Sequence, residues 1–270
     1  METQALNHQE SLENKVMGKV PVSVVVITKN EEKNIAKCLE SVYKWADEII
    51  VVDDESTDKT VEIASKYADK VLHRRMDNEG THRNWAYAQT KNEWVFSVDA
   101  DEIVTEELKK EIDQALVDTT NSSFTVPRRN YIGEYWIKHG GLYPAGQLRI
   151  FKKGQFRYEE VEVHPKVFLE GQTGHLTKDL IHNSYTSFTH FLAKLNSQTS
   201  LEAKKWYQTN RKMSFGKAMW RTIDRFPRQY IRKKGYKDGF IGFMMAFFAS
   251  LYQIISYAKY WELKNLNKKS

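Results

Sequence analysis

Asp99-Ala100-Asp101-Glu102 sets three carboxylates within four residues, directly after the apolar run Trp94-Val95-Phe96-Ser97-Val98. A strand ending in clustered acids presents them at the carboxyl edge of a sheet, where open α/β folds bind ligands. Acids so close repel one another unless a cation joins them. Hard divalent ions such as Mg²⁺ or Mn²⁺ take oxygen ligands of this kind and commonly share them with substrate phosphates. The same residues would also serve a solvated turn into a helix starting near Thr105, and the tetrapeptide alone leaves both readings open.

The flanking sequence predicts the elements that would hold such a site. Residues 22–27 form a β-branched apolar run broken only by Ser23, as expected of a strand covered on both faces. Asn30 is placed to cap a following helix with Glu31 and Glu32 in its first turn, and Ile35, Leu39 and Val42 recur at helical spacing. A second strand over 48–52 ends in Asp53 and Asp54, and Ser56 or Asp58 can cap a helix carrying Val61, Ala64 and Tyr67. A short strand at 71–72, a helix over 83–90 and the strand leading to Asp99 complete a β-α-β-α pattern. That pattern implies a doubly wound, mainly parallel sheet. Short strands at 124–126, 148–151 and 156–158 follow, the last two expected to pair as a hairpin across Lys153-Gly154.

The final third turns helical and basic. Residues 210–237 hold ten Lys and Arg against one acid, Asp224, interleaved with Trp220, Phe226, Tyr230 and Tyr236. Nucleic acid and anionic membrane both attract such a surface. Residues 239–258 then carry no charge, long enough to span a bilayer. Gly242, Ala246, Ala249, Gln253 and Ser256 mark that run with a small, partly polar stripe suited to close packing. Lysines flank both of its ends, which a span would leave on opposite sides. A helix lying in the interface of the cytoplasmic leaflet fits both features and makes nucleic acid the weaker partner.

Residues 1–19 are polar, without the apolar run of a signal peptide, and read as a loose tail. The lone cysteine, Cys38, falls on an apolar helical face and reads as a buried structural thiol. Both features fit a cytoplasmic setting. With 270 residues, 41% of them hydrophobic and 28% charged, the chain can build one sizeable core.

The turn Thr28-Lys29-Asn30-Glu31 contains no glycine, and no Walker loop, nucleophile elbow or paired-cysteine motif occurs elsewhere. Phosphates on such a sheet are best held through a cation. Four stretches then fall in order at the strand ends: residues 22–31, residues 50–60 with Asp53-Asp54-Glu55-Ser56-Thr57-Asp58, Arg83-Asn84, and Val98-Asp99-Ala100-Asp101-Glu102. Together they resemble the motifs of family 2 glycosyltransferases, whose nucleotide-sugar-binding α/β fold is called GT-A. Gly141-Leu142-Tyr143, Gln147-Leu148-Arg149-Ile150-Phe151, Val163-His164-Pro165 and Ile181-His182-Asn183-Ser184-Tyr185 are similar to the subgroup that includes lipopolysaccharide-core enzymes.

The resemblance implies a GT-A catalytic domain over 20–190, with a small antiparallel part, and a helical membrane-associating region over 191–270. It implies a nucleotide-sugar donor, a UDP-sugar, contacted by Thr28, Glu31, Asp53, Asp54, Arg83 and Asp99. It places Mg²⁺ or Mn²⁺ on Asp99, Asp101 and His182, with His164 a further candidate. Inverting transfer needs a carboxylate to take the acceptor proton, and Glu160, then Glu162, are the candidates, with Glu159 on the opposite face. The implied acceptor is a lipid-linked glycan at the cytoplasmic membrane face. A membrane-bound module that has lost turnover, or a nucleic-acid-binding protein using the basic-aromatic segment, are the alternatives. Intact Asp54, Asp99 and Asp101 argue against the first.

Overall fold

The computed structural model describes residues 20–160 and 166–266. Four parallel strands form the first half of the sheet: β1 (Val20–Thr28), β2 (Ala46–Asp53), β3 (Lys70–His73) and β4 (Trp94–Asp99), in the spatial order 3-2-1-4. β1, β2 and β4 carry β-branched or aromatic residues on both faces. Helices α1 (Ile35–Val42), α2 (Thr60–Ala64) and α3 (Glu79–Ala88) make the crossovers. Ile35, Cys38, Leu39 and Val42 of α1 are fully buried against Val24, Val26 and Phe96, so the thiol is a core group as its spacing predicts.

The sheet continues with antiparallel members. β5 (Glu102–Val104) and α4 (Glu106–Ala115) follow β4, and Thr105 caps α4 by accepting from Leu108 N. β6 (Asn121–Ile132) is long and central, joined by β7 (Tyr135–Ile137), β8 (Gly146–Lys152), β11 (Gln172–His175) and β12 (Leu180–Tyr185). β8 lies between β4 and β6 and runs antiparallel to both. The expected hairpin from β8 to β9 (Phe156–Tyr158) does not form. A 3₁₀ turn at Lys153–Gln155 carries the chain away, and β9 pairs instead with β10 (Val167–Leu169). Phe151 and Phe156 nevertheless stack at 3.7 Å between centroids, and Tyr87 packs on both.

Two local expectations give way to tertiary contacts. Asn30 does not cap α1, because its backbone is left-handed at φ 54 and its side chain accepts from Thr57 N at 2.8 Å. The helix starts later, after Asn34. Asp58 accepts from Thr60 N at 3.0 Å, but α2 lasts only five residues, so Tyr67 lies beyond it.

The C-terminal elements α5 (Phe188–Gln208), α6 (Phe215–Pro227) and α7 (Gly239–Asn265) form a helical layer. Gly242, Ala246, Gln253 and Ser256 of the small stripe are buried, with Met245, Ser250 and Tyr260, and α7 packs on α5 and α6 along this line. Met245 also joins Ile132, Ile137 and Phe191 in one apolar cluster, which fastens the layer to β6 and β7. Buried Asp238 accepts from His139 N at 2.7 Å and pairs with His139 Nδ1 at 2.9 Å, a second fastening.

Candidate active site

The carboxyl ends of β1, β2 and β4 open onto a cleft of about 230 Å³ lined by Thr28, Lys29, Glu31, Asp54, Met76, Asp99 and Asp101. Parallel pairing sets this geometry, since Thr28 lies opposite Asp53 and Ile27 opposite Asp99 in register. The loops after β1 and β2 are tied together by Asn30 N donating to Ser56 Oγ and Glu31 N donating to Thr60 Oγ1. Left-handed backbone at Asn30 and Glu55 makes both turns tight.

Asp54 faces the cleft at one end. Its Oδ1 accepts from Met76 N at 2.7 Å and its Oδ2 from Lys29 Nζ at 3.0 Å. Burial works against its charge, but these two donors hold its carboxyl below the usual range. Asp53 turns inward, where it is 1% exposed, accepts from Ser56 N at 2.9 Å and faces His73. Thr28 Oγ1 is buried at the cleft wall with no partner among the described residues. Burial raises the Glu31 carboxyl, which accepts from Asn34 Nδ2 at 2.7 Å.

The other end is a network of buried charge. Arg149 on β8 donates to Asp99 Oδ2 at 2.7 Å and also to Glu102 Oε1. Arg128 reaches Glu102 at 3.3 Å, and Arg83 on α3 reaches Asp99 Oδ1 at 3.5 Å. Burial opposes ionisation of Asp99, yet Arg149 and then Arg83 hold its carboxyl far below the ordinary range. Asp101 meets His182 Nε2 at 3.3 Å and Lys194 Nζ at 3.5 Å, and these partners lower its carboxyl against the cost of burial. Four fixed cations, Arg83, Arg128, Arg149 and Lys194, thus stand among four carboxylates, Glu79, Asp99, Asp101 and Glu102. Of these groups Asp99 and Asp101 line the cleft, and Arg83 stands at Asp99.

Among the described residues, no group of three or more His, Cys, Asp and Glu side chains is gathered to hold a metal. Asp99 has each oxygen on a guanidinium, so the donors that remain are the pair Asp101 and His182. An oxygen and an imidazole nitrogen suit Mn²⁺ or Mg²⁺ when the rest of the shell comes from phosphate and water. Glu160 is exposed and ends the described stretch after β9, while Glu162 and His164 lie outside the described residues. The backbone at Glu159 and Glu160 presses on Gly80 so closely that a Cβ there would strike the Glu159 carbonyl. Asn84 bonds both the N–H and the C=O of Tyr158, which ties the end of β9 to the helix carrying Arg83.

Sequence reasoning gave no site role to Arg149, Asn130 or Lys194, and counted Glu102 only among the clustered acids that a cation would join. Arg149 had a signal: it is the one charge inside the apolar stretch Leu148–Phe151, and a buried guanidinium needs acids. Lys194 had none, since it is one lysine among several on a long helix.

The Glycosyl transferase family 2 profile matches residues 23–172, over half of the chain. The chain belongs to glycosyl transferase family 2. This glycosyltransferase is 27% identical over 252 residues to LpsC of Rhizobium meliloti, a lipopolysaccharide core biosynthesis glycosyltransferase, with 90% of this chain and 93% of the relative covered. An uncharacterised glycosyltransferase of Rickettsia typhi is also 27% identical, over 262 residues, covering 90% and 87%. The fold agrees with that of the mannosyltransferase PcManGT from Pyrobaculum calidifontis, solved with GDP-Man and Mn²⁺. The TM-score is 0.54 at 13% identity, over 93% of this chain and 89% of that one. The sheet is therefore of GT-A type, mainly parallel with an antiparallel part and a helical C-terminus, as the motif order implies.

Proposed function

We propose that this glycosyltransferase moves a sugar from a UDP-sugar to a lipid-linked glycan of the cell envelope, inverting the anomeric centre, at the cytoplasmic face of the membrane. The observation that carries the reading is the unlike character of the two ends of one cleft. Asp54 beside Thr28 offers acceptors to the neutral N–H and O–H donors of a nucleoside and would repel phosphate. At the other end Arg83, together with a cation on Asp101 and His182, would neutralise a diphosphate. Thr28 and Asp54 contact the nucleoside, Asp53 shapes its loop, Arg83 serves the phosphates, and Glu31, in the field of Asp101 and Lys194, lies toward the phosphate end of the donor.

Asp101 and His182 would hold Mg²⁺ or Mn²⁺, with Asp99 alongside. When bound, the cation supplies Lewis-acid neutralisation of the departing diphosphate. Glu160 or Glu162 takes the proton of the acceptor hydroxyl while that oxygen bonds the anomeric carbon and the bond to the diphosphate breaks. The contact of Glu159 and Glu160 with Gly80, three residues from Arg83, supports this assignment.

Membrane association is supported by the helical layer. Phe215, Trp220, Ile223, Ile231 and Phe240 are more than half exposed, interleaved with Lys217, Arg221, Arg225, Arg228 and Arg232. Among the described residues one helix, within Gly235–Asn265, is long and apolar enough to cross a membrane, but its small stripe packs on protein, which favours an interfacial position. A panel of nucleotide sugars tests the function: UDP release with Mn²⁺ from one UDP-sugar, lost in Asp101→Asn, supports it. Absence of release from every UDP-sugar while a GDP-sugar is hydrolysed overturns the donor assignment.

A further inference from the structure

His182 and Asn130 lie side by side in register on the parallel strands β12 and β6. His182 Nδ1 is 2.8 Å from Asn130 Oδ1, and Asn130 Nδ2 donates to Leu142 O at 3.1 Å. A carbonyl can only accept, so the Leu142 oxygen dictates that the NH₂ end of the Asn130 amide faces it. The amide oxygen must then face His182. That oxygen also only accepts, so its approach to Nδ1 requires a proton on Nδ1.

With Nδ1 protonated, the neutral ring carries its lone pair on Nε2. That nitrogen faces Asp101 Oδ2 across 3.3 Å. A bare nitrogen opposite a carboxylate oxygen is two acceptors face to face, an arrangement relieved by a second ring proton or by a cation shared between them. We propose that Asn130 is a positioning residue, which fixes the Nδ1–H form of His182 and so turns an Nε2 lone pair toward Asp101 for a divalent cation.

Ser184 supports the same arrangement. Its hydroxyl is 2.7 Å from His182 Nδ1 and donates to Asn130 Oδ1 at 3.2 Å or to His182 O at 3.3 Å. Asn130 and Ser184 are both buried, so water does not compete for these groups. Partners of this kind behind a ligating imidazole orient it and raise its basicity, and losing them costs roughly 10–100-fold in metal affinity. The inference rests on the reading that Asp101 and His182 hold the metal. It concerns the ring and the amide of this chain, which can be observed without any metal.

The test uses ¹⁵N-histidine spectra of the metal-free protein at a pH where the ring is neutral, together with Mn²⁺ titration of the full chain. The wild-type His182 should show a protonated Nδ1 and a bare Nε2. Asn130→Leu leaves Ser184 free to turn its proton toward Nδ1, so the ring should switch to Nε2–H and Mn²⁺ should bind about 10-fold or more weakly. Asn130→Asp keeps an acceptor opposite Nδ1 but loses the donor to Leu142 O, so it should retain the wild-type ring form with a lower melting temperature. A wild-type ring in the Nε2–H form, or an Asn130→Leu ring that stays Nδ1–H, overturns the inference without any metal measurement. Mn²⁺ binding unchanged in Asn130→Leu overturns it alone, whereas no Mn²⁺ binding by the wild type overturns the metal reading with it.

Discussion

Arg149 Nη2 lies 2.7 Å from Asp99 Oδ2, and the same guanidinium nitrogen holds Glu102, which has no exposed surface. One arginine from an antiparallel strand thus orders two acids of the 99–102 motif. A buried pair stabilises little over an apolar replacement, but removing one member strands the other.

Arg149→Met should therefore destabilise by about 3–5 kcal/mol, read as a shift in denaturant midpoint, because fully buried Glu102 and half-buried Asp99 lose their shared partner. Arg149→Lys should fall between, since the ammonium keeps the charge but is shorter and more strongly hydrated, so its burial beside the two acids costs more. The acid side gives a second readout. Asp99 has a depressed folded pKa, so its contribution is complete above the ordinary carboxylate pKa of about 4 and is lost as pH falls below it. Below about pH 4 the wild type should lose stability more steeply than Arg149→Met. Equal slopes would reject the clamp.

Chelation should abolish transfer, and Asp101→Ala should mimic it. Asp101→Asn should be nearly as severe, since the amide keeps the shape without the charge. Full activity in EDTA would instead shift charge stabilisation to Lys194, 3.5 Å from Asp101, and Lys194→Met would then become the inactive variant.

Asp54→Ala should weaken UDP binding about 10-fold or more in calorimetry, as for loss of a charge-assisted hydrogen bond. Because Asp54 also holds Met76 N, a small fall in melting temperature should accompany it. Unchanged affinity for every nucleotide would reject Asp54 as a nucleoside contact.

Trp220 and Ile223 are 67% and 60% exposed on α6, so replacing both with Glu should leave the melting temperature nearly unchanged. Flotation on anionic liposomes should drop sharply, and wild-type binding should weaken as salt rises, each basic residue contributing about 1 kcal/mol. Equal binding to neutral and anionic vesicles would remove the electrostatic part.

Local pattern alone determined the parallel half of this protein. The β-branched runs of β1 and β2, the apolar face of α1 and the acids after β2 and β4 are each written within ten residues, because burial on a strand or helix has a short period. The carboxyl-edge position of Asp54, Asp99 and Asp101 follows from that alternation. What the local pattern did not determine is which distant strands meet. Insertion of β8 between β4 and β6 brings Arg149 to Asp99 across 50 positions, and it replaces the hairpin that the short spacing of β8 and β9 suggested. Asn30 is likewise drawn from the expected cap to Thr57 by the neighbouring loop. Asn130 and Lys194 look ordinary in sequence and gain meaning only where β6, β12 and α5 converge on His182 and Asp101. Strand order and helix docking decide such contacts, and they depend on the summed burial of the whole sheet rather than on any one segment.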